Sequence, residues 1–201
     1  MKKDIIEETE KRLFEEIQVM VEELPWDHRL NLEYFLTCIH EAAHGVVNVR
    51  ICQDFGNPVG LDFCKIEINI IKSQFPNRDR VSGKTMAHPN SSLRHNFLFP
   101  NISAVFRQLI AMAGCILADE FYSNYYGWGR VKELEELQGE YGAWSDVRQA
   151  YSDGLVGIYL SRALLRLSYK DPLVRLTHLS LIRDILKGHG ALIIDPRTYM
   201  K

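Results

Sequence analysis

The sequence predicts a mainly α-helical domain with a small β element, an α+β fold. Apolar residues recur at helical spacing through most of the 201-residue chain. One stretch, "CKIEINIIK" (64–72), instead alternates and is rich in β-branched residues, as a strand is. Proline and glycine punctuation ("LPWD", "GNPVG", "YYGWG", "GHG") separates segments of helix length.

Over residues 4–24, Leu13, Ile17, Met20, Val21 and Leu24 follow the i, i+4, i+7, i+8, i+11 pattern of an amphipathic helix with a mainly acidic outer face. Core packing and docking on a partner explain that stripe equally well. Pro25 ends it, and Asp27 is placed to cap a longer helix over 28–51. Leu32, Phe35, Leu36, Ile39, Ala43, Val46 and Val47 form the buried stripe of that helix, with His40 and His44 at its margin. "GNPVG" (56–60) breaks the chain before the strand, whose residues 65–71 are expected to be exposed and open to an extended peptide by strand addition. "SQFPNRDRVSG" (73–83) reads as a turn or flexible loop and "KTMAH" (84–88) as a short second strand. A helical region over 97–126 contains the buried apolar run 109–118, and an acidic segment occupies 132–142. A long helix is expected over 143–169, weakened at Gly154 and Gly157. Asp171-Pro172 starts a last helix that runs to Lys187 and is stopped by "GHG". The tail "ALIIDPRTYMK" adds a strand or docks on the surface. With no repeat and no long linker, one domain over 1–201 is expected: an N-terminal helical extension (1–24), a core carrying the motif below (28–170), and a C-terminal helix and tail (171–201).

Composition excludes several classes. The chain is 46% hydrophobic and 25% charged, ordinary for a globular protein, and its net charge of −2 makes no electrostatic case for nucleic acid or an anionic membrane. Cys38, Cys52, Cys64 and Cys115 show no C-x-x-C spacing and sit in apolar surroundings, as reduced core thiols do. The charged N-terminus has no signal-peptide core, and the run 109–118 is too short for a membrane span, which takes about 20 residues. A soluble, cytoplasmic protein is expected.

The chemistry lies in "TCIHEAAHGVV" (37–47), where His40-Glu41-Ala42-Ala43-His44 has the form H-E-x-x-H. On a helix, residues four apart lie about 40° apart on one face, so two imidazoles can converge on one ion, while Glu41 stands about 100° aside. A catalytic zinc needs three protein ligands and an open position for water; a glutamate set aside from the metal can take that water's proton. The third ligand must come from elsewhere. The extended pattern H-E-x-x-H-x-x-G-x-x-H fails, since position 47 is Val and position 50 is Arg. "LADEF" (117–121) offers Asp119 and Glu120, either as ligands or as acceptors that orient His40 or His44. "GAWSDVRQA" (142–150) offers Asp146 at a predicted helix start. Position alone ranks Asp146 no higher than Glu120.

Taken in order, "HEAAHGVV", "KIEINII", "AGCILADEF" and "GAWSDVRQA" resemble the peptidase domain of the FtsH family of ATP-dependent zinc metalloproteases (peptidase family M41), across roughly residues 30–170. That family's segments have the forms HEAGHA, a following strand, GGRxAEE and GAxNDL. The resemblance implies an M41-like helical peptidase domain with one zinc ion per chain. It implies that His40, His44 and Asp146 are the zinc ligands and Glu41 the catalytic glutamate, with Glu120, and Asp119 beside it, near the site but off the metal. The chain departs from the pattern at Cys115-Ile116 (Gly-Arg in the family), Ala43 (Gly), Trp144-Ser145 and the insertion "FPNRDR". A free-standing domain is expected, without the family's ATPase module and transmembrane anchor. "SGKT" (82–85) is no phosphate-binding loop, since position 78 is Arg where that motif needs glycine, so no nucleotide cofactor is expected. The expected activity is zinc-dependent hydrolysis of unfolded polypeptides or short peptides, alone or with a separate ATPase or unfoldase. The alternative is a non-catalytic, metal-containing scaffold or adaptor that holds a partner through residues 4–24 or 132–142.

Overall fold

The structure, a computed structural model, describes residues 2–51, 61–75, 79–89, 100–126 and 155–195. Among these the chain is mostly helical, with a small three-stranded antiparallel sheet. The helices are α1 (Lys2–Glu22), α2 (His28–Val46), α3 (Pro100–Tyr125), α4 (Leu155–Ser168) and α5 (Pro172–Lys187); the strands are β1 (Leu61–Ile71), β2 (Arg80–Pro89) and β3 (Ala191–Ile194). Asp146, Cys52, the "GNPVG" break, the acidic segment 132–142 and the first part of the helix expected over 143–169 lie outside the described residues.

α2 is the central element, in contact with α3, α5 and the sheet. It starts where expected: the Asp27 side chain accepts from the backbone N–H of Leu30 at 2.8 Å. Its α-helical hydrogen bonding ends at Val46 and passes into a π-helical turn, Val47–Ile51, so residues 28–51 are not one uniform α-helix. In that turn the fully buried Asn48 donates from Nδ2 to the carbonyl of His44 at 2.9 Å. α5 is capped by Asp171, which accepts from Leu173 N–H at 2.9 Å, with Pro172 at its first position.

α1 packs along α5 through Leu13 and Ile17. A part-buried polar cluster joins them: the Arg175 Nε donates to Glu10 Oε1 at 2.7 Å, and the Tyr125 hydroxyl of α3 donates to the same oxygen. Burial and the Glu10 carboxylate push the Tyr125 hydroxyl above its ordinary pKa, so it remains a donor. The N-terminal stripe is therefore core packing.

A second polar link runs beneath α2. The His178 Nε2–H of α5 donates to the carbonyl of Ile39 at 2.9 Å, and the Tyr169 hydroxyl donates to His178 Nδ1 at 3.0 Å. His178 is fully buried, and loss of hydration lowers its pKa to about 4. The fold thus keeps it neutral while an unfolded chain protonates it near pH 6.5, so its contribution to stability is present above that pH and is lost as pH falls toward 4. Between pH 7 and pH 5 this removes about 2 kcal/mol. Urea unfolding of metal-free protein at both pH values should show that acid loss in the wild type and a clearly smaller one in His178→Gln; equal losses would contradict it.

The strand order is β2-β1-β3, both pairings antiparallel. Cys64, Ile66 and Ile68 of β1 are buried against the helices while Lys65, Glu67 and Asn69 face outward, as the alternation predicts. Two expectations are corrected. β1 is the central strand, paired with β2 along its length and with β3 over Cys64–Glu67, so residues 65–71 are not a free edge. "RVSG" belongs to β2, which runs ten residues, rather than to a loop. β3 is reached through a tight turn with Gly190 at φ 88°, whose carbonyl accepts from Ile68 N–H at 2.7 Å; a Cβ there would lie 2.6 Å from the Tyr34 hydroxyl, so only glycine fits.

Candidate metal centre

His40 and His44 stand one turn apart on α2, and their Nε2 atoms converge to 3.2 Å. Two nitrogens bound to one tetrahedral ion at about 2.0–2.1 Å each would be about 3.3–3.4 Å apart, so the observed pair suits a shared metal with almost no movement. The tautomer is favourable too. His44 Nδ1 lies 2.6 Å from the carbonyl of Ile110 on α3, an acceptor only, which places the proton on Nδ1 and leaves the Nε2 lone pair directed at the site. His44 is buried and His40 half-buried.

α3 contributes a second feature. A Cβ on Gly114 would meet Nε2 and Cε1 of His40 and come within 2.6 Å of His44 Nε2. The absent side chain lets the α3 backbone pack directly against the two ring nitrogens. A glycine inside a helix costs about 1 kcal/mol relative to alanine, and here it has a steric reason.

Glu41 departs from the histidine pair, as its angular offset predicts. It is 7% exposed and reaches β2, where the Thr85 hydroxyl donates to Oε2 at 2.6 Å. A Cβ on Gly83 would lie 2.5 Å from Glu41 Oε1 and 2.6 Å from Thr37 Cγ2, so β2 crosses α2 closely at this point. The thiol of Cys38 beside them is fully buried; burial first, then the Glu41 charge, push its pKa well up, and it stays a protonated core thiol. Cys64 and Cys115 are in no disulfide either.

The strand pattern defines what β2 offers. The Ile68 N–H points to the β3 side, so by alternation the peptide groups of Lys65, Glu67 and Asn69 point to β2. Their partners Met86, Lys84 and Ser82 point back to β1, which turns the peptide groups of Val81, Gly83 and Thr85 to the outer edge. Val81 N–H is occupied by Glu33 Oε1 at 2.9 Å. Among the described residues no further strand covers that edge.

"LADEF" follows on the same helix, α3. Glu120 is six residues beyond Gly114, about 9 Å along the helix and about 120° around it, and its Oε1 lies 3.4 Å from Arg166 Nε of α4. The Asp119 carbonyl accepts from the Ser123 hydroxyl at 2.9 Å. Among the described residues, no three His, Cys, Asp or Glu side chains come together as a metal-binding group. Asp146 is not among those residues, so the described part of the centre is two imidazoles packed against Gly114, with the Glu41 carboxylate held on β2. Sequence reasoning did not single out Gly114, the Ile110 carbonyl, Gly83 or Thr85; the only signal was a glycine inside each of two apolar or β-rich segments. No protein-family model matches the chain, and no curated protein or solved structure matches it either, so the likeness to FtsH peptidases rests on the four quoted segments and their order.

Proposed function

We propose that the protein is a zinc-dependent metallopeptidase of M41-like type, which cleaves extended peptides or unfolded chains. The convergence of His40 and His44 Nε2 at 3.2 Å beside Gly114, with the His44 tautomer set by Ile110, carries this reading. His40 and His44 would hold the ion through Nε2, with Asp146 proposed as the third ligand. A bound zinc ion supplies a Lewis acid and a water of lowered pKa. Glu41 accepts the proton of that water at its carboxylate and returns it to the nitrogen of the leaving amine. The outer edge of β2 at Gly83 and Thr85 takes the substrate as an added antiparallel or parallel strand, which places a peptide alongside Glu41. Threading of folded substrates would fall to a separate unfoldase. No described helix is long and apolar enough to cross a membrane.

A second reading, a metal-containing scaffold without turnover, is supported by α4, where Tyr159, Leu160, Leu164 and Leu167 are exposed. Metal analysis combined with a peptide-cleavage assay separates the two. Wild-type protein should carry about one zinc per chain and cleave a fluorogenic unfolded substrate. Asp146→Ala should lose the metal and the activity together, and Glu120→Ala should keep the metal. Metal loss confined to Glu120→Ala would overturn the ligand assignment, and bound zinc without cleavage would favour the scaffold.

A further inference from the structure

We propose that Thr85 is a positioning residue for Glu41, fixing the carboxylate at the crossing of α2 and β2; this rests on the metallopeptidase reading above. A glutamate has three rotatable bonds, and one free to wander spends little time aimed at a reacting water. Thr85 has a single hydroxyl proton to give. Its oxygen lies 2.6 Å from Glu41 Oε2 and 3.2 Å from the Glu41 carbonyl. The shorter contact has the length of a charge-assisted O–H···O⁻ bond, so the proton goes to the carboxylate. With Oε2 gripped, Oε1 is the oxygen left to receive the substrate water's proton. Gly83, two residues back on the same face of β2, lets the strand pass close beside Oε1, since a Cβ there would approach it to 2.5 Å. The backbone groups of the same two residues point to the outer edge of β2. One strand therefore holds the base with its inner face and offers its edge to the peptide, and a substrate seated on that edge is brought into register with a carboxylate already oriented.

The test uses the full zinc-loaded chain with Thr85→Val, which keeps the shape and removes the hydroxyl, and Thr85→Ser, which keeps the hydroxyl. Thr85→Val should lower kcat by about tenfold to a hundredfold with KM and zinc content unchanged. Thr85→Ser should recover most of kcat. In metal-free protein, a double-mutant cycle between Thr85→Val and Glu41→Ala, read by urea unfolding, should show a coupling of about tenfold or more in the folding constant. Wild-type kcat in Thr85→Val, alongside an inactive Glu41→Gln, overturns the positioning role and leaves Glu41 as the base. A change in KM or zinc content at unchanged kcat, no recovery in Thr85→Ser, or no coupling in the cycle also overturns it. A wild-type protein with no metal-dependent cleavage overturns both this proposal and the function beneath it.

Discussion

Glu41→Gln is expected to bind zinc as the wild type does and to cleave peptides at least about a hundredfold more slowly, because a general base in a proton-transfer step contributes about 10²–10⁴-fold. The substitution is nearly isosteric. The Gln oxygen can still accept from the Thr85 hydroxyl, and the side chain stays at the crossing of α2 with β2. What is lost is the capacity to take a proton from water. Glu41 is held by Thr85 on β2, and the converging nitrogens are those of His40 and His44, so its loss should not cost a metal–ligand bond. Zinc content by elemental analysis and kcat on a fluorogenic peptide give the two readings. Unchanged kcat would remove Glu41 from the mechanism, and lost metal would make it a ligand.

Gly114→Ala is the second large effect, and it acts on the metal rather than on the base. The added methyl would come within 2.6 Å of His44 Nε2 and 2.5 Å of His40 Cε1, closer than van der Waals contact allows. Either the imidazoles rotate out of convergence or α3 withdraws from α2. Withdrawal also pulls on the Ile110 carbonyl that sets the His44 tautomer, since Ile110 lies one turn earlier on the same helix. Zinc affinity should fall by about 10–100-fold, the usual cost of disturbing the groups that orient metal ligands. Stability of the metal-free protein should fall by about 1–3 kcal/mol from overpacking. Competition with a chromogenic chelator measures the first and urea unfolding in EDTA the second. Wild-type affinity would show that Gly114 is not needed to keep the two imidazoles convergent.

Helix limits were legible wherever a local stop or start residue exists. Asp27, Asp171-Pro172 and the glycines after Lys187 act within a few residues of themselves, and α2 and α5 begin where those residues place them. The histidine pair was legible because residues four apart on a helix must share a face. The rest of the centre depends on contacts between elements. Ile110 and Thr85 are remote in sequence from the motif, and nothing local marks a backbone carbonyl or a strand threonine as a partner. Alternation along 64–72 separated the inward from the outward face of β1, but it carries no information on which edges are paired, and so the central strand read as exposed. "RVSG" read as a loop because Ser and Gly favour turns; the close crossing over Thr37 and Glu41 is what makes Gly83 the right residue in a strand.

The polar link under α2 also bears on the order in which the protein is made. His178 holds the carbonyl of Ile39 across 139 residues, and Arg175 holds Glu10 across 165. A ribosome therefore releases the two histidines long before it makes the helix that fixes their backbone from below. Contacts of such long range close late, after the local helices have formed. The nascent chain carries an H-E-x-x-H helix with an unsupported apolar face, and the finished geometry waits for α5. On the metallopeptidase reading, metal loading and hydrolysis would then have to wait until α5 has been made and docked.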